Sequence, residues 1–368
     1  AINIITDQSI KKGDGINTSF SVGSLGKYSA HFSGIQNIDK YTVKGNYNTI
    51  FSDGYRRNSG LYQNNGGFEF AADNDFYDFY LNVKSINQFQ ELPGDVGVNT
   101  GSFSNSNGFH VDPRSSDTPA DFSQNNGHQL FYGISFQPNT KNEVIIDGSY
   151  KYNKSEGKFL LSNQETDIRI STYQLSPRIL NTSRLNEFDL DLMLGIDFNY
   201  AYYYQDKMHN KVVNAGDGMS WYKKYKVQDI NIGPYFNTNM KISDLDSISV
   251  GFRYQWNWLR AGDMNNSLAT SSAFSNGEQK NIIKPDHQFV FHLGYERLLD
   301  ERNSLSIKGG RSFRYPNIDE RIGAGFTSAT HNFRLSSQKS LDLEFGHKFL
   351  DDDLKISTNF YYMRMLSE

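Results

Sequence analysis

Every second residue from Phe188 to Tyr204 is apolar or aromatic: Phe188, Leu190, Leu192, Leu194, Ile196, Phe198, Tyr200, Tyr202 and Tyr204. The residues between them, Asp189, Asp191, Met193, Gly195, Asp197, Asn199, Ala201 and Tyr203, are mostly polar. Successive side chains of a β-strand point to opposite faces, so this stretch is a strand with one apolar face and one largely polar face. The design repeats in Ile248, Val250, Phe252, Tyr254, Trp256 and Trp258 against Ser249, Gly251, Arg253, Gln255 and Asn257. It appears again in Tyr77, Phe79, Leu81 and Val83 against Asp78, Tyr80, Asn82 and Lys84, and in Val144, Ile146, Gly148, Tyr150 and Tyr152 against Glu143, Asp147, Ser149 and Lys151. Soluble strands usually run ~5–6 residues, whereas these alternate for longer.

The long apolar faces need a cover. A water-soluble sandwich or β-helix would supply a second protein layer, but no helical pattern in the sequence provides one. Lipid is the better cover, and aromatics gathered at strand ends (Tyr200, Tyr202, Tyr204; Trp256, Trp258) suit a girdle at the lipid–water boundary. No apolar run approaches the ~18 residues of a membrane helix. An all-β, antiparallel, up-and-down transmembrane barrel is therefore expected. The connections agree, because short and long links alternate. Short turns fall at Asn37–Lys40, Asp73–Asp75, Pro138–Lys141, Asn181–Asn186, Ser243–Asp246, Leu299–Asn303 and Asp351–Asp353. Long Gly/Ser/Asn-rich links span Ser52–Asn65, Gln90–Gly127, Ser155–Asp167, Gln205–Lys223, Gly262–His287 and Arg311–Lys339. Bacterial barrels keep short turns at the periplasm and long loops outside. Counting gives about fifteen strands, an odd number for a family of even-stranded barrels, so an incomplete barrel is expected.

Composition removes several function classes. There is no Cys, hence no disulfide scaffold or thiolate metal site. A net charge of −4, scattered along the chain, does not suit nucleic acid. The Asp-rich runs Asp351-Asp352-Asp353 and Asp73-Asn74-Asp75 lack the glycine and the twelfth-position Glu of a calcium loop and read as turns. No His-Glu-x-x-His pattern, nucleophile elbow or phosphate loop is present, so no catalytic site and no cofactor are expected.

Specific residues then carry a resemblance. Gly310-Arg311-Ser312-Phe313-Arg314-Tyr315-Pro316-Asn317-Ile318-Asp319-Glu320 resembles the Phe-Arg-x-Pro…Glu signature in the barrel of TonB-dependent outer-membrane receptors. Ser340–Gly346, with Glu344 and Gly346, is similar to the Glu-x-Gly strand that follows it there. Ala1–Thr6 resembles the last strand of that family's plug domain, Ser52–Ser59 its second external loop, and Leu92–Gly94 with Asp112–Arg114 and Asp121-Phe122 its third, as in siderophore-type members. The resemblance implies residues 1–6 as the plug's end and residues 7–368 as about 15 of 22 barrel strands. It also implies a TonB-ExbB-ExbD complex acting through a plug, and active uptake of a ferric siderophore or similar metal chelate. A passive porin, or uptake of cobalamin or a glycan, is the alternative.

Pro316 fixes its own φ and pushes Tyr315 away from the helical region, ending a strand, after which Asn317–Glu320 can start a turn or short helix. Phe313, Arg314, Pro316 and Glu320 are expected to be structural, with Arg314 and Glu320 paired in a network facing the lumen. Ligand candidates lie in the external loops: Tyr55, Arg56 and Arg57, able to attract an anionic chelate or lipopolysaccharide phosphates; His110 and Arg114 in the long third loop; Trp221, Tyr222 and Lys223, where cation and aromatic suit a catecholate. Outer-membrane lipid and lipopolysaccharide are the expected surroundings.

Overall fold

The computed structural model describes residues 13–94, 114, 116, 118, 120–159, 164–185, 188–209, 221–265, 282–322, 335–351 and 353–367. It contains fifteen strands: β1 Gly15–Val22, β2 Tyr28–Ile38, β3 Tyr41–Ser52, β4 Leu61–Asp73, β5 Tyr77–Glu91, β6 Phe122–Asn139, β7 Asn142–Phe159 and β8 Gln164–Leu185. They continue as β9 Phe188–His209, β10 Trp221–Lys241, β11 Asp246–Asn265, β12 Ile282–Leu298, β13 Asn303–Arg314, β14 Gln338–Leu350 and β15 Lys355–Ser367. The one helix among the described residues is α1, Ile318–Ile322. All fifteen strands form a single sheet in chain order, each pairing antiparallel with the next. This is the expected up-and-down arrangement. The plug-strand expectation for Ala1–Thr6 lies outside the described residues.

The register sorts the side chains as the alternation predicts. Leu194, Ile196 and Phe198 of β9 point outward and remain 48%, 42% and 39% exposed, and no second layer covers them among the described residues. Lumen-facing residues carry the charges. Tyr80 (β5) donates to Asp147 (β7) at 3.2 Å, and Arg178 (β8) meets the same carboxylate at 2.6 Å. Asp197 (β9) pairs with Arg253 (β11), whose guanidinium also covers the Tyr235 ring of β10 at 5.7 Å. This inner belt crosses the wall from β5 to β11. Its close spacing needs a residue without a side chain at Gly195, where an added Cβ would lie 2.5 Å from the Tyr235 ring.

Two boundary expectations are corrected. Of the turn expected at Asn181–Asn186, Asn181 to Leu185 belong to β8, which pairs Leu185 with Phe188, and Asn186 lies outside the described residues. Asn181 donates its amide to Asn142 across the strand pair at 2.6 Å, so a turn-favouring residue is satisfied by a ladder neighbour instead. The long links are also shorter than expected, since β6 begins at Phe122, β9 reaches His209 and β10 begins at Trp221. Strands β8 and β9 have 22 residues each, about 70 Å at ~3.3 Å per residue, well beyond hydrocarbon thickness. Above the bilayer both faces meet water, so the ladder persists while the alternation that reveals it fades.

Among the described residues, strands β1 and β15 each pair on one side only. Hydrocarbon cannot satisfy their free N–H and C=O groups, so in a bilayer both edges need partner strands. These 368 residues refolded alone in detergent are expected to lack the heat-modifiable gel mobility of a closed barrel; a heat-resistant monomer would refute this. Gly195→Ala is expected to displace Tyr235 and cost about 1–3 kcal/mol, read as a lower urea midpoint of the assembled receptor.

Candidate site at the external mouth

Two structured connections stand at the external end of the wall. The first joins β3 to β4. Left-handed backbone at Gly54 (φ 77°) and Asn58 (φ 55°) folds it tightly. Arg56 then donates to the carbonyls of Gly94 (2.6 Å) and Pro93 (3.2 Å), beyond the end of β5. The Asn58 amide reaches Leu92 and Asp121, both at 2.9 Å, and also Thr118. The Arg57 N–H donates to the Arg114 carbonyl at 2.8 Å, and the Arg114 guanidinium lies 5.6 Å from the Tyr55 ring centre. The second and third external loops are thus clasped together, mainly by side chains donating to backbone carbonyls.

This placement sorts the loop candidates. Tyr55, Arg56, Arg57 and Arg114 come together, with Arg56 engaged as the clasp and the Tyr55 ring 52% exposed beneath Arg114. His110 lies outside the described residues. Trp221, Tyr222 and Lys223 form the external end of β10, paired with His209, Met208 and Lys207 of β9; their side chains lie outside the described residues.

The second connection follows β13. Pro316 stops the strand, and Asn317 and Glu320 cap α1 reciprocally: the Asn317 N–H donates to Glu320 at 2.9 Å and the Glu320 N–H to Asn317 Oδ1 at 2.7 Å. That is a capping box with Asn in the leading position. Arg314 grips the Glu320 carboxylate with two bonds, 3.1 and 2.8 Å, so the expected pair forms. Arg314 and the Asn317 N–H hold the Glu320 carboxyl below its usual range. Phe313 packs edge-on against Tyr315 at 4.9 Å. On the strand that follows, Glu344 sits opposite Lys308 and Tyr361, and Gly346 opposite Ser306 and Asn359.

The segment packs against the wall. Ile318 covers the cluster of Tyr203, Tyr225, Val227, Leu259 and Ala261, whose members come from β9, β10 and β11. Arg321, 3% exposed, donates to the carbonyls of Pro316 (3.2 Å) and Leu335 (3.3 Å) and is attracted by Asp229 and Asp286. Burial pushes the Tyr315 hydroxyl's pKa up, and that hydroxyl has no hydrogen-bond partner among the described residues. Asp229 is held in turn by the amides of Asn231 (3.2 Å) and Asn257. Sequence reasoning missed Arg321, Asp229 and Asn257. One signal was available: Tyr202-Tyr203-Tyr204 is aromatic on both faces, which marks an inner surface that something covers.

The comparisons with known proteins fit this architecture. Residues 46–365 match the family described as TonB dependent receptor-like, beta-barrel. The chain belongs to this family. Its members are outer-membrane β-barrels. No curated protein matches the sequence. Among solved structures, the ferric citrate transporter FecA in its unliganded form superposes with a TM-score of 0.69 at 14% identity, covering 97% of this chain and 52% of that one. The ferric yersiniabactin uptake receptor FyuA of Yersinia pestis gives 0.69 at 11%, covering 96% and 55%. The ferric-catecholate import receptor Fiu of E. coli K12 gives 0.70 at 14%, covering 96% and 60%. At these identities the likeness concerns the fold, and the chain spans about half the length of these receptors.

Two outcomes are expected at this receptor's mouth. Glu320 has a depressed folded-state pKa, so its contribution is present above the unfolded value and is lost as pH falls through the folded one. Proteolysis within residues 313–337 is therefore expected to accelerate in acid, below the usual carboxylate range, and Glu320→Gln is expected to abolish that pH dependence. Tyr315→Phe removes a buried hydroxyl that lacks a partner among the described residues, and is expected to leave the thermal midpoint unchanged or raise it.

Proposed function

We propose that this chain forms much of the barrel wall of a receptor in the bacterial outer membrane that actively takes up a ferric siderophore or a similar scarce metal chelate. The observation that carries the reading is the family membership over residues 46–365 together with a mouth whose external loops are clasped into a fixed surface. The solved structures that share the fold include a ferric citrate transporter, a ferric yersiniabactin receptor and a copper transporter, which supports a metal chelate as cargo.

In this reading the loops capture ligand before the lumen conducts it. Tyr55 and Arg114 offer a cation over an aromatic face, and Arg57 adds charge beside them. An anionic chelate with planar aromatic arms would meet both features. Arg56 contributes by holding the loops rather than by free charge. His110, Trp221, Tyr222 and Lys223 are proposed as further contacts. A fixed surface lowers the ordering cost of binding, which a receptor for scarce ligand requires. Because no nucleotide or ion gradient is available across the outer membrane, an inner-membrane TonB-ExbB-ExbD complex is proposed to drive release through a plug. The charges of the inner belt, paired across the wall, leave a polar lumen suited to a hydrated solute.

The test is transport of a radiolabelled ferric chelate into cells making the full-length receptor. Collapse of the proton-motive force is expected to stop uptake while surface binding persists; continued entry would mean a passive pore and overturn the reading. Arg57→Ala with Arg114→Ala is expected to weaken surface binding roughly tenfold.

A further inference from the structure

One register row runs around the inner wall, from Lys84 of β5 through Gln129 and Lys151 to Asp229, Leu259 and Lys284 of β12. Its two ends differ. Toward β12 the row is covered by the segment that follows β13. Ile318 packs on the cluster that holds Leu259, the buried Arg321 is attracted by Asp229, and Lys284 donates to the Leu335 carbonyl at 2.5 Å. Toward β5 the row ends in Lys84, which is exposed. A recess of about 640 Å³ adjoins it on the inner face of β1–β5, lined by Lys44, Asn46, Glu69 and Asn82 among others. At this depth one arc of the wall carries α1, and the other has room for a solute.

The open arc has a built geometry. Lys84 and Lys151 flank Gln129, and one level nearer the periplasm the Phe131 ring holds both cations, 5.9 Å from the Lys84 Nζ and 5.3 Å from the Lys151 Nζ. Phe131 is an aromatic ring on the water-facing side, between Asn82 and Ser149 in its own row. Such a ring attracts an ammonium group without neutralising it. The nearby carboxylates are already engaged. Lys44 (2.8 Å) and the Asn82 amide (3.1 Å) hold Glu69, while Arg178 (2.6 Å) and Tyr80 (3.2 Å) hold Asp147. Neither Lys84 nor Lys151 has a hydrogen-bond or ion-pair partner among the described residues. Elsewhere in the wall Lys44, Arg178 and Arg253 each face a carboxylate. Two positioned cations left uncompensated, with an amide between them, are suited to receive anionic oxygens.

We propose that Lys84, Gln129 and Lys151 form a carboxylate-binding station on the inner wall, which the transported chelate meets after it leaves the mouth. The two ammonium groups take separate carboxylates of one solute, and the Gln129 amide donates between them. Phe131 fixes the height of both cations, which lowers the ordering cost of binding. Because α1 covers the other arc of the row, the chelate descends along β5–β7. The station stands on the two strands that the third external loop joins, so the clasped mouth leads into it. It selects chelates with free carboxylates over uncharged ones. The proposal rests on the uptake reading above and adds to it the charge class of the cargo and its side of the lumen.

The test uses the purified full-length receptor in detergent and radiolabelled citrate, whose carboxylates can reach both ammonium groups. Saturable binding is expected, and Lys84→Gln with Lys151→Gln is expected to weaken it about tenfold. Lys40→Gln, at a periplasmic turn, is expected to change nothing. Unchanged affinity in a double variant that keeps heat-modifiable mobility would overturn the proposal, as would the absence of saturable binding to the wild type. A second measurement needs no variant: citrate is expected to slow acetylation of Lys84 and Lys151, read by mass spectrometry, about tenfold, and its uncharged trimethyl ester is expected to give no protection. Equal protection by the ester would overturn the proposal. Lysines that resist acetylation in the citrate-free receptor would mean that an acidic residue of the plug fills the site, and would overturn it too. Citrate binding is measured without an energy source and uptake with one, so failure of either reading is recognisable from the other.

Discussion

No backbone amide or carbonyl can be left unpaired inside a hydrocarbon layer, and the rest of this structure depends on that constraint. It requires each strand to be flanked by another for its whole membrane depth, which the single sheet in chain order achieves for β2 to β14 with consecutive antiparallel pairing alone. It also makes the outward face apolar and leaves the inward face to carry the charge. The pairs Lys44–Glu69, Asp147–Arg178 and Asp197–Arg253 all lie on the lumen side. Each is partly exposed to water and so adds little stability. What the pairs do accomplish is neutralisation: opposite charges at fixed positions keep the inner face polar without giving it one sign.

How legible the chain is follows the same constraint. Where bilayer meets one face and water the other, the contrast is written every second residue, and Phe188–Tyr204 could be assigned from sequence at once. Above the bilayer both faces are wet. There the ladder of β8, β9 and β10 continues while the contrast vanishes, so the loops were judged too long. The polar run that begins at Asn181 shows the opposite error: it reads as a turn by composition, whereas Asn181 donates across the strand pair to Asn142.

The mouth was legible only where its partners are local. Arg314, Asn317 and Glu320 lie within seven residues of one another, and the capping pattern announces itself. Arg321 is attracted by Asp229 of β10 and Asp286 of β12, and nothing in the intervening sequence joins them. Arg56 misled for a different reason. Its acceptors are the backbone carbonyls of Pro93 and Gly94, which leave no signature in a side-chain sequence, so the guanidinium read as a free charge.

The two mouth elements fix their loops by contrasting means, and the contrast bears on what a ligand meets. The first clasp spends polar side chains on carbonyls and leaves Tyr55 with Arg114 as its outward feature. The second spends an apolar residue, Ile318, on a cluster supplied by three strands, and buries Arg321 beneath it. A buried guanidinium answered by backbone carbonyls and distant carboxylates strongly favours one arrangement, since any displacement of α1 would strand that charge in a poorly solvated place. The element after β13 is therefore the stiffer of the two, since the clasp is held by side-chain bonds to carbonyls that water can also make.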